Sequence, residues 1–358
     1  MLTHSEASLF RQCMLRCCVN NVVYIKFPIR NIMFSEVKII IQKLLGLMGY
    51  KISRLERISD SVDPSALSET NKGSVTEIKV GAFFIEIPVS NPLNSHYQRH
   101  PMTQQCLVNM VKSVHQLHPN LVVVDVGANV GDTLSLIKTA ADIPVICVEG
   151  DDLCVSILCR NVKRFKDATV VKNYLNEQVE TAKLVIAKET WNSTLIPSAL
   201  GEAKTLIFTT LDQILLPHPL SEQIRAIKVD CEGFDLRILR GGTVFLKRQK
   251  PALLFELNYY NLAILKEDGK GFLRWLASIG YSHFFIFESH GAFLFEWSPQ
   301  YWRMLDDIDD YIRNGGNRLD YLDIVAFPDG LESSASAFRS LTKSESALLP
   351  KAGVDRQL

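Results

Sequence analysis

Between Leu121 and Pro328 the chain alternates short β-branched runs with stretches whose apolar residues recur at helical spacing. The runs are Leu121–Asp125, Val145–Glu149, Thr169–Val171, Ile224–Asp230, Ala252–Leu257, Ser282–Phe287 and Tyr321–Phe327. Most lack the polar alternation of a half-solvated strand, so they must be covered on both faces. A mostly parallel sheet with helices on each side meets that demand, and an α/β fold is therefore predicted. Open sheets of this type bind ligands beyond the carboxyl ends of their strands, which is where functional side chains are to be sought.

Three strand ends carry chemistry. The first is the run DVGANVGD at Asp125–Asp132, a buried strand breaking into a glycine turn and then a helix with Val130, Leu134 and Ile137 on one face. Gly127 and Gly131 are expected to let the backbone approach a ligand, with the helix N–H groups aimed at the same cleft. The turn lacks the third glycine of a dinucleotide site, and Asp125 at the strand end would repel a pyrophosphate. Asp125 would suit the ammonium of an amino acid, so a ligand cationic at one end is implied, such as the methionine part of S-adenosylmethionine. The second is Glu149, placed to accept hydrogen bonds from both ribose hydroxyls of a nucleoside. Asp151 or Asp152 then caps a helix whose Val155, Leu158 and Val162 are predicted to face inward. The third is KVDCEGFD at Lys228–Asp235, which brings Asp230 and Glu232 to the rim, with Glu256 and Asn258 on the next strand end.

With TLDQIL at Thr210–Leu215 and PALLFELN at Pro251–Asn258, these runs resemble the FkbM-type family of S-adenosylmethionine-dependent methyltransferases over roughly Gly81–Phe327. The resemblance implies a Rossmann-like class I methyltransferase fold with a seven-stranded, mostly parallel sheet and helices on both faces. It implies O-methylation of a hydroxyl on a sugar, glycan or secondary metabolite, with S-adenosylmethionine as cofactor. Cofactor contact is assigned to Asp125, Gly127, Asn129, Gly131, Asp132, Glu149 and Gly150. Cys231 stands where the family pattern has an aliphatic residue.

Methyl transfer to an alcohol requires alignment and removal of a proton. Asp230, Glu232 and Glu256 are the candidate catalytic residues, with His96 and His290 as outside alternatives. No resident metal is expected, although Asp230, Glu256 and Asn258 are hard oxygen ligands that would suit magnesium. Trp191, Asn192, Ser193 and the Tyr259–Tyr260 pair are expected to wall the acceptor pocket. Two rival classes are a nucleotide-cofactor oxidoreductase, disfavoured by the missing glycine pattern, and a non-catalytic binding module that kept the fold.

Composition sets the remaining bounds. Basic and acidic residues balance to zero formal charge, which gives no reason to expect a nucleic-acid partner. Eight cysteines without a CxxC spacing are the usage of a reducing compartment, and a cytoplasmic protein is expected. No apolar stretch is long enough to span a bilayer. Ile39, Ile40, Leu44, Leu45 and Met48 recur at helical spacing, so residues 35–50 read as an amphipathic helix able to touch a membrane surface. The expected organisation is an N-terminal extension over 1–75, of which 1–32 belong to a doubtful start, a methyltransferase domain over 76–330, and a mobile Ser/Ala-rich tail over 331–358. The segment between Lys172 and Arg225 is an insertion with its own apolar pieces, Leu184–Ala187 and Thr205–Phe208.

Overall fold

The computed structural model describes residues 18–19, 22–23, 74–189, 192–197, 204–307 and 321–348. The chain divides into two units, 1–68 and 69–358. In the first, the described residues form one strand pair, Cys18–Val19 with Val22–Val23. The rest of 1–32, the amphipathic helix with its membrane contact over 35–50, and the polar linker over 60–72 lie outside the described residues. Among the described residues, no helix is long and apolar enough to cross a membrane.

The second unit opens with β1 (Val75–Val80), β2 (Phe83–Pro88), α1 (Leu93–Arg99), α2 (Gln105–His115), β3 (Val122–Val126) and α3 (Asp132–Ala140). It continues with β4 (Val145–Glu149), α4 (Asp152–Val162), β5 (Ala168–Lys172), β6 (Tyr174–Leu175), β7 (Glu180–Glu189), β8 (Asn192–Pro197) and β9 (Lys204–Thr209). Then come α5 (Leu211–Leu215), β10 (Ile224–Val229), α6 (Asp235–Arg240), α7 (Thr243–Gln249), β11 (Ala252–Leu257) and α8 (Tyr259–Leu265). The last elements are α9 (Gly269–Ser278), β12 (Tyr281–Glu288), β13 (Phe293–Trp297), β14 (Leu322–Pro328) and α10 (Glu332–Leu348).

All seven expected runs are strands of one sheet, ordered β13-β12-β14-β11-β10-β3-β4-β5. Strands β11, β10, β3, β4 and β5 are parallel neighbours, and β14 runs antiparallel between β11 and β12. The chain builds outward from β3 through β4 to β5 and then returns to the other side of β3 with β10. The crevice of such a doubly wound sheet opens at that reversal, between β3 and β10. Both faces are covered, as the apolar runs demanded. Val122, Val124 and Val126 pack into one buried cluster with Leu236, Leu239 and Phe255, and Val123 packs into the other with Leu107, Met110 and Leu134.

The structure differs from the sequence expectations at four places. An eighth strand, β13, extends the expected seven as a hairpin partner of β12. The insertion forms a separate four-stranded sheet, β8-β7-β9-β6. The expected mobile tail is helical over Glu332–Leu348. Leu331, Ala335, Phe338 and Thr342 recur on one helical face and are buried, and the ring of Phe338 lies 4.7 Å from that of Phe285 and 5.4 Å from that of Phe327. Five serines share the helix with this stripe and obscured it in the composition. Residues 349–358 lie outside the described residues. In α4 the buried residues are Ile157, Leu158 and Asn161; Val155 and Val162 are only partly covered.

Candidate functional site

A cavity of about 380 Å³ opens at the reversal point. Of the expected cofactor residues, Gly127, Asn129, Asp132, Glu149 and Gly150 line it, and so do the expected catalytic residues Asp230, Glu232 and Glu256. Asp125 and Gly131 are not among the lining residues.

Asp125 corrects the sequence reading. It is fully buried and pairs with Lys228, its register neighbour across β3 and β10, with Oδ1 3.2 Å from Nζ. Its Oδ2 accepts a 2.6 Å hydrogen bond from the Thr133 hydroxyl. The carboxylate is thus engaged beneath the cavity wall rather than among its lining residues. Lys228 also donates to the Gly127 carbonyl at 3.1 Å and stands 3.8 Å from Asp230 Oδ2. Burial alone would depress the lysine, but Asp125, Asp230 and Asp132 outweigh it and hold the ammonium charged well above its ordinary range. Lys228 lines the cavity floor.

The glycines are also required for a different reason. Gly127 has φ +75°, and a Cβ there would lie 2.1 Å from the Asp230 carbonyl oxygen. The β10 loop crosses the turn at this glycine, which also lines the cavity. Gly131 has φ +94° and packs against Leu158 of α4.

Glu149 ends β4 as predicted. Its Oε2 accepts from the Asn129 N–H at 2.9 Å, and its Oε1 accepts from the N–H groups of Gly150 and Asp151 at 2.8 Å each. About four lone-pair sites are available on a carboxylate, so one remains for a ligand hydroxyl. Burial pushes this carboxyl above its ordinary range despite the three donors. Asp151 caps α4 by accepting from Leu153 and Cys154. Beside Glu149 lie Val148, Asn173, Tyr174, Leu175, Phe234 and Ile238, an apolar slot with one amide.

The opposite end of the cavity is acidic. Asp230 follows β10, and its backbone N–H bonds the Val126 carbonyl at 3.1 Å. Glu232 holds φ +51°, an uncommon conformation for a side-chain-bearing residue, and is followed by Gly233 at φ +93°. Asp235 closes this turn, accepting from the N–H groups of Cys231 and Gly233 with one oxygen and from that of Glu256 with the other. Burial, then the charge of Asp230, raises Asp235 to about 7. Glu256 is pushed well above the carboxylate range by burial and then by Asp230, Asp235, Asp323 and Glu232. The Cys231 thiol, also in the wall, is raised chiefly by burial, which keeps it protonated.

Of the expected acceptor wall, only the Tyr259–Tyr260 pair lies among residues whose side chains are described. Among the described residues, none of 176–227 lines the cavity, and neither do Tyr259 and Tyr260; Tyr260 is exposed. Trp191 lies outside the described residues, and nothing is shown of the side chains of Asn192 and Ser193. The wall is built by Leu93, His96 and Tyr97 of α1 and by Thr103 and Gln104 ahead of α2. Tyr97 donates to Asp132 Oδ2 at 2.9 Å. These segments precede the glycine turn, and no motif marked them. His290 packs at a tilt against His100 with ring centres 4.0 Å apart and is not a lining residue. Asp212 of the TLDQIL segment is a cap, accepting from the Val244 and Phe245 N–H groups at the start of α7.

A doubly wound sheet with a glycine turn and an acid-ended neighbouring strand at its reversal defines a Rossmann-like α/β domain. The chain belongs to the methyltransferase FkbM domain family, whose domain matches residues 125–319, more than half of its length. Among solved structures, it is similar to methyltransferase FkbM from Methylobacillus flagellatus KT, with 18% identity and a TM-score of 0.36 over 58% of this chain and 44% of that one. This chain therefore spans less than half the length of that protein. Precorrin-6y C5,15-methyltransferase from Geobacter metallireducens GS-15 gives 11% identity and a TM-score of 0.32 over 63% of this chain and 87% of that one. The plantazolicin methyltransferase BpumL, solved with SAH, gives 10% identity and a TM-score of 0.34 over 65% and 88%. A comparison with curated proteins finds no match.

Proposed function

We propose that this protein transfers the methyl group of S-adenosylmethionine to a hydroxyl of a small molecule, sugar or glycan. The observation that carries the reading is a single cavity with a carboxylate held by three backbone N–H groups at one end and an acidic rim at the other. Its volume falls within the range of small-molecule sites, roughly 300–1,000 Å³. The residues fit the cofactor: Glu149 keeps an acceptor site for a ribose hydroxyl, and the slot of Val148, Tyr174, Leu175, Phe234 and Ile238 suits a flat purine. Bound S-adenosylmethionine supplies an electrophilic methyl group on a sulfonium whose sulfur leaves neutral.

The chain's own work is then alignment and proton removal. Asp230 is the proposed base: about one third of its side chain is exposed, at the cavity, and Lys228 lies 3.8 Å behind it. Glu232 and Glu256 flank the acceptor. Five free cysteines among the described residues support the proposed cytoplasmic location. The test is transfer of labelled methyl from S-adenosylmethionine to a panel of polyhydroxylated acceptors. Asp230→Asn should lower the rate by roughly 10²–10⁴-fold, the usual worth of a positioned base, with cofactor affinity unchanged. Transfer at the wild-type rate by the variant removes Asp230 from the chemistry.

A further inference from the structure

The cavity wall contributed by α1 and the loop to α2 is joined to a distant turn through histidines. His96 stands in the lining. From it the rings continue away from the cavity, with centres 5.2 Å apart between His96 and His100 and 4.0 Å apart between His100 and His290. His290 belongs to the turn between β12 and β13, so two segments far apart in sequence meet ring against ring. They meet through backbone as well. Gly291 has φ +91°, and a Cβ there would lie 2.1 Å from the Met102 carbonyl oxygen.

The turn is itself held in place. Glu288 Oε1 accepts from the N–H groups of His290 and Ala292, and the Ser289 carbonyl accepts from the Tyr321 hydroxyl at 2.9 Å. The wall segment is therefore seated on a fixed support, with histidine on both sides of the contact.

Neutral imidazoles can pack this closely, but imidazolium ions repel one another. Glu288 is the carboxylate beside the rings, with Oε2 3.4 Å from His290 Nδ1, and the Ser289 hydroxyl lies 3.0 Å from the same nitrogen. One carboxylate balances one imidazolium. Arg99 already adds a cation, so a second charged ring goes uncompensated. Burial, then the charges of His100, Arg99 and His290, lowers His96; burial, then His290 and Arg99, lowers His100 against the opposing pull of Glu288.

We propose that this contact is an acid-sensitive clasp: with the rings neutral, the wall from His96 to Gln104 is seated on the β12–β13 turn and closes one side of the cavity, and protonation of the histidines unseats it. A seated wall holds fewer protons than an open one. It is fully stable above the ordinary histidine value of about 6.5 and loses stability as pH falls below that value. Asp132, which accepts from Tyr97 of the same wall, pulls the other way, because burial raises its carboxyl and acid then favours the seated arrangement. The clasp does not depend on which ligand the cavity takes.

The experiment is amide hydrogen exchange of the full chain at two acidities, about pH 7.5 and about pH 5.5, with each rate divided into the unstructured rate at the same pH. The reporters are the N–H groups of His100, Thr103 and Gln105, which bond the carbonyls of His96, His100 and Met102. The amides of β3 in the central sheet serve as the reference. Each histidine kept neutral in the seated wall favours opening by at most about tenfold over this interval, so protection of the wall should fall by about tenfold while that of β3 holds. His100→Gln should match the parent at the higher pH and lose most of the fall. His290→Gln should do the same and supplies the test should His100→Gln fail to fold. A change in wall protection below about threefold, a fall shared equally by β3, or an undiminished fall in the folded variants overturns the proposal.

Discussion

Replacing Lys228 by Met tests the buried pair on which the site is built. Lys228 is 1% exposed and Asp125 is fully buried, so the variant leaves a carboxylate in the core without its cation. Removing one partner of a buried ion pair costs about 3–5 kcal/mol, because the other charge stays desolvated. The lost hydrogen bond to the Gly127 carbonyl adds to this, since that carbonyl has few alternatives below the turn. At roughly 2–4 °C per kcal/mol for a domain of this size, the melting temperature should fall by about 6–20 °C. Urea unfolding at neutral pH, monitored with thermal melting, measures the loss. The double variant Asp125→Asn/Lys228→Met should recover much of it, since no unpaired charge remains. A single variant within about 1 kcal/mol of the parent, or a double variant no more stable than the single, refutes the reasoning.

Two further outcomes follow from the buried groups. Asp235 titrates near 7 when folded against an ordinary value of 3.8, so the folded state holds its proton longer than the unfolded state. Its contribution is nil below about pH 4, grows as a penalty while pH rises, and is complete above about pH 7, on the order of 4 kcal/mol. Asp235→Asn should be less stable than the parent at pH 5, having lost one acceptor oxygen, yet should lack this downward slope; an unchanged slope in urea titrations assigns it to another group. Phe338→Ala should cost about 3–5 kcal/mol, as for other buried aromatic truncations. Melting unaffected by that change would mean that α10 does not contribute to the core.

The sheet was legible because burial on both faces leaves uninterrupted apolar runs, and every expected run became a strand of the main sheet. Glu149 and the acidic rim were legible for a related reason: strand ends project to the ligand edge, so a polar residue there stands out. What stayed hidden depended on contacts distant in sequence. Asp125 looked like a ligand group because nothing local shows that Lys228 will be its register neighbour. A second demand on Gly127, the close approach of the Asp230 carbonyl from another strand, has no local signature either. The wall from Tyr97 to Gln104 carries no periodicity that reports its place over the cavity. Helix α10 was obscured by serines, although Leu331, Ala335, Phe338 and Thr342 already spelled one helical face.

The central claim is that S-adenosylmethionine binds in this cavity through Glu149. Calorimetric titration of the purified chain with S-adenosylmethionine, S-adenosylhomocysteine and NAD, alongside Glu149→Ala, tests it most directly. One site is expected for each of the first two ligands and none for NAD, with a loss of about 1.5–3 kcal/mol of cofactor affinity in a variant that melts like the parent. Unchanged affinity in folded Glu149→Ala, or NAD binding in place of S-adenosylmethionine, would contradict it.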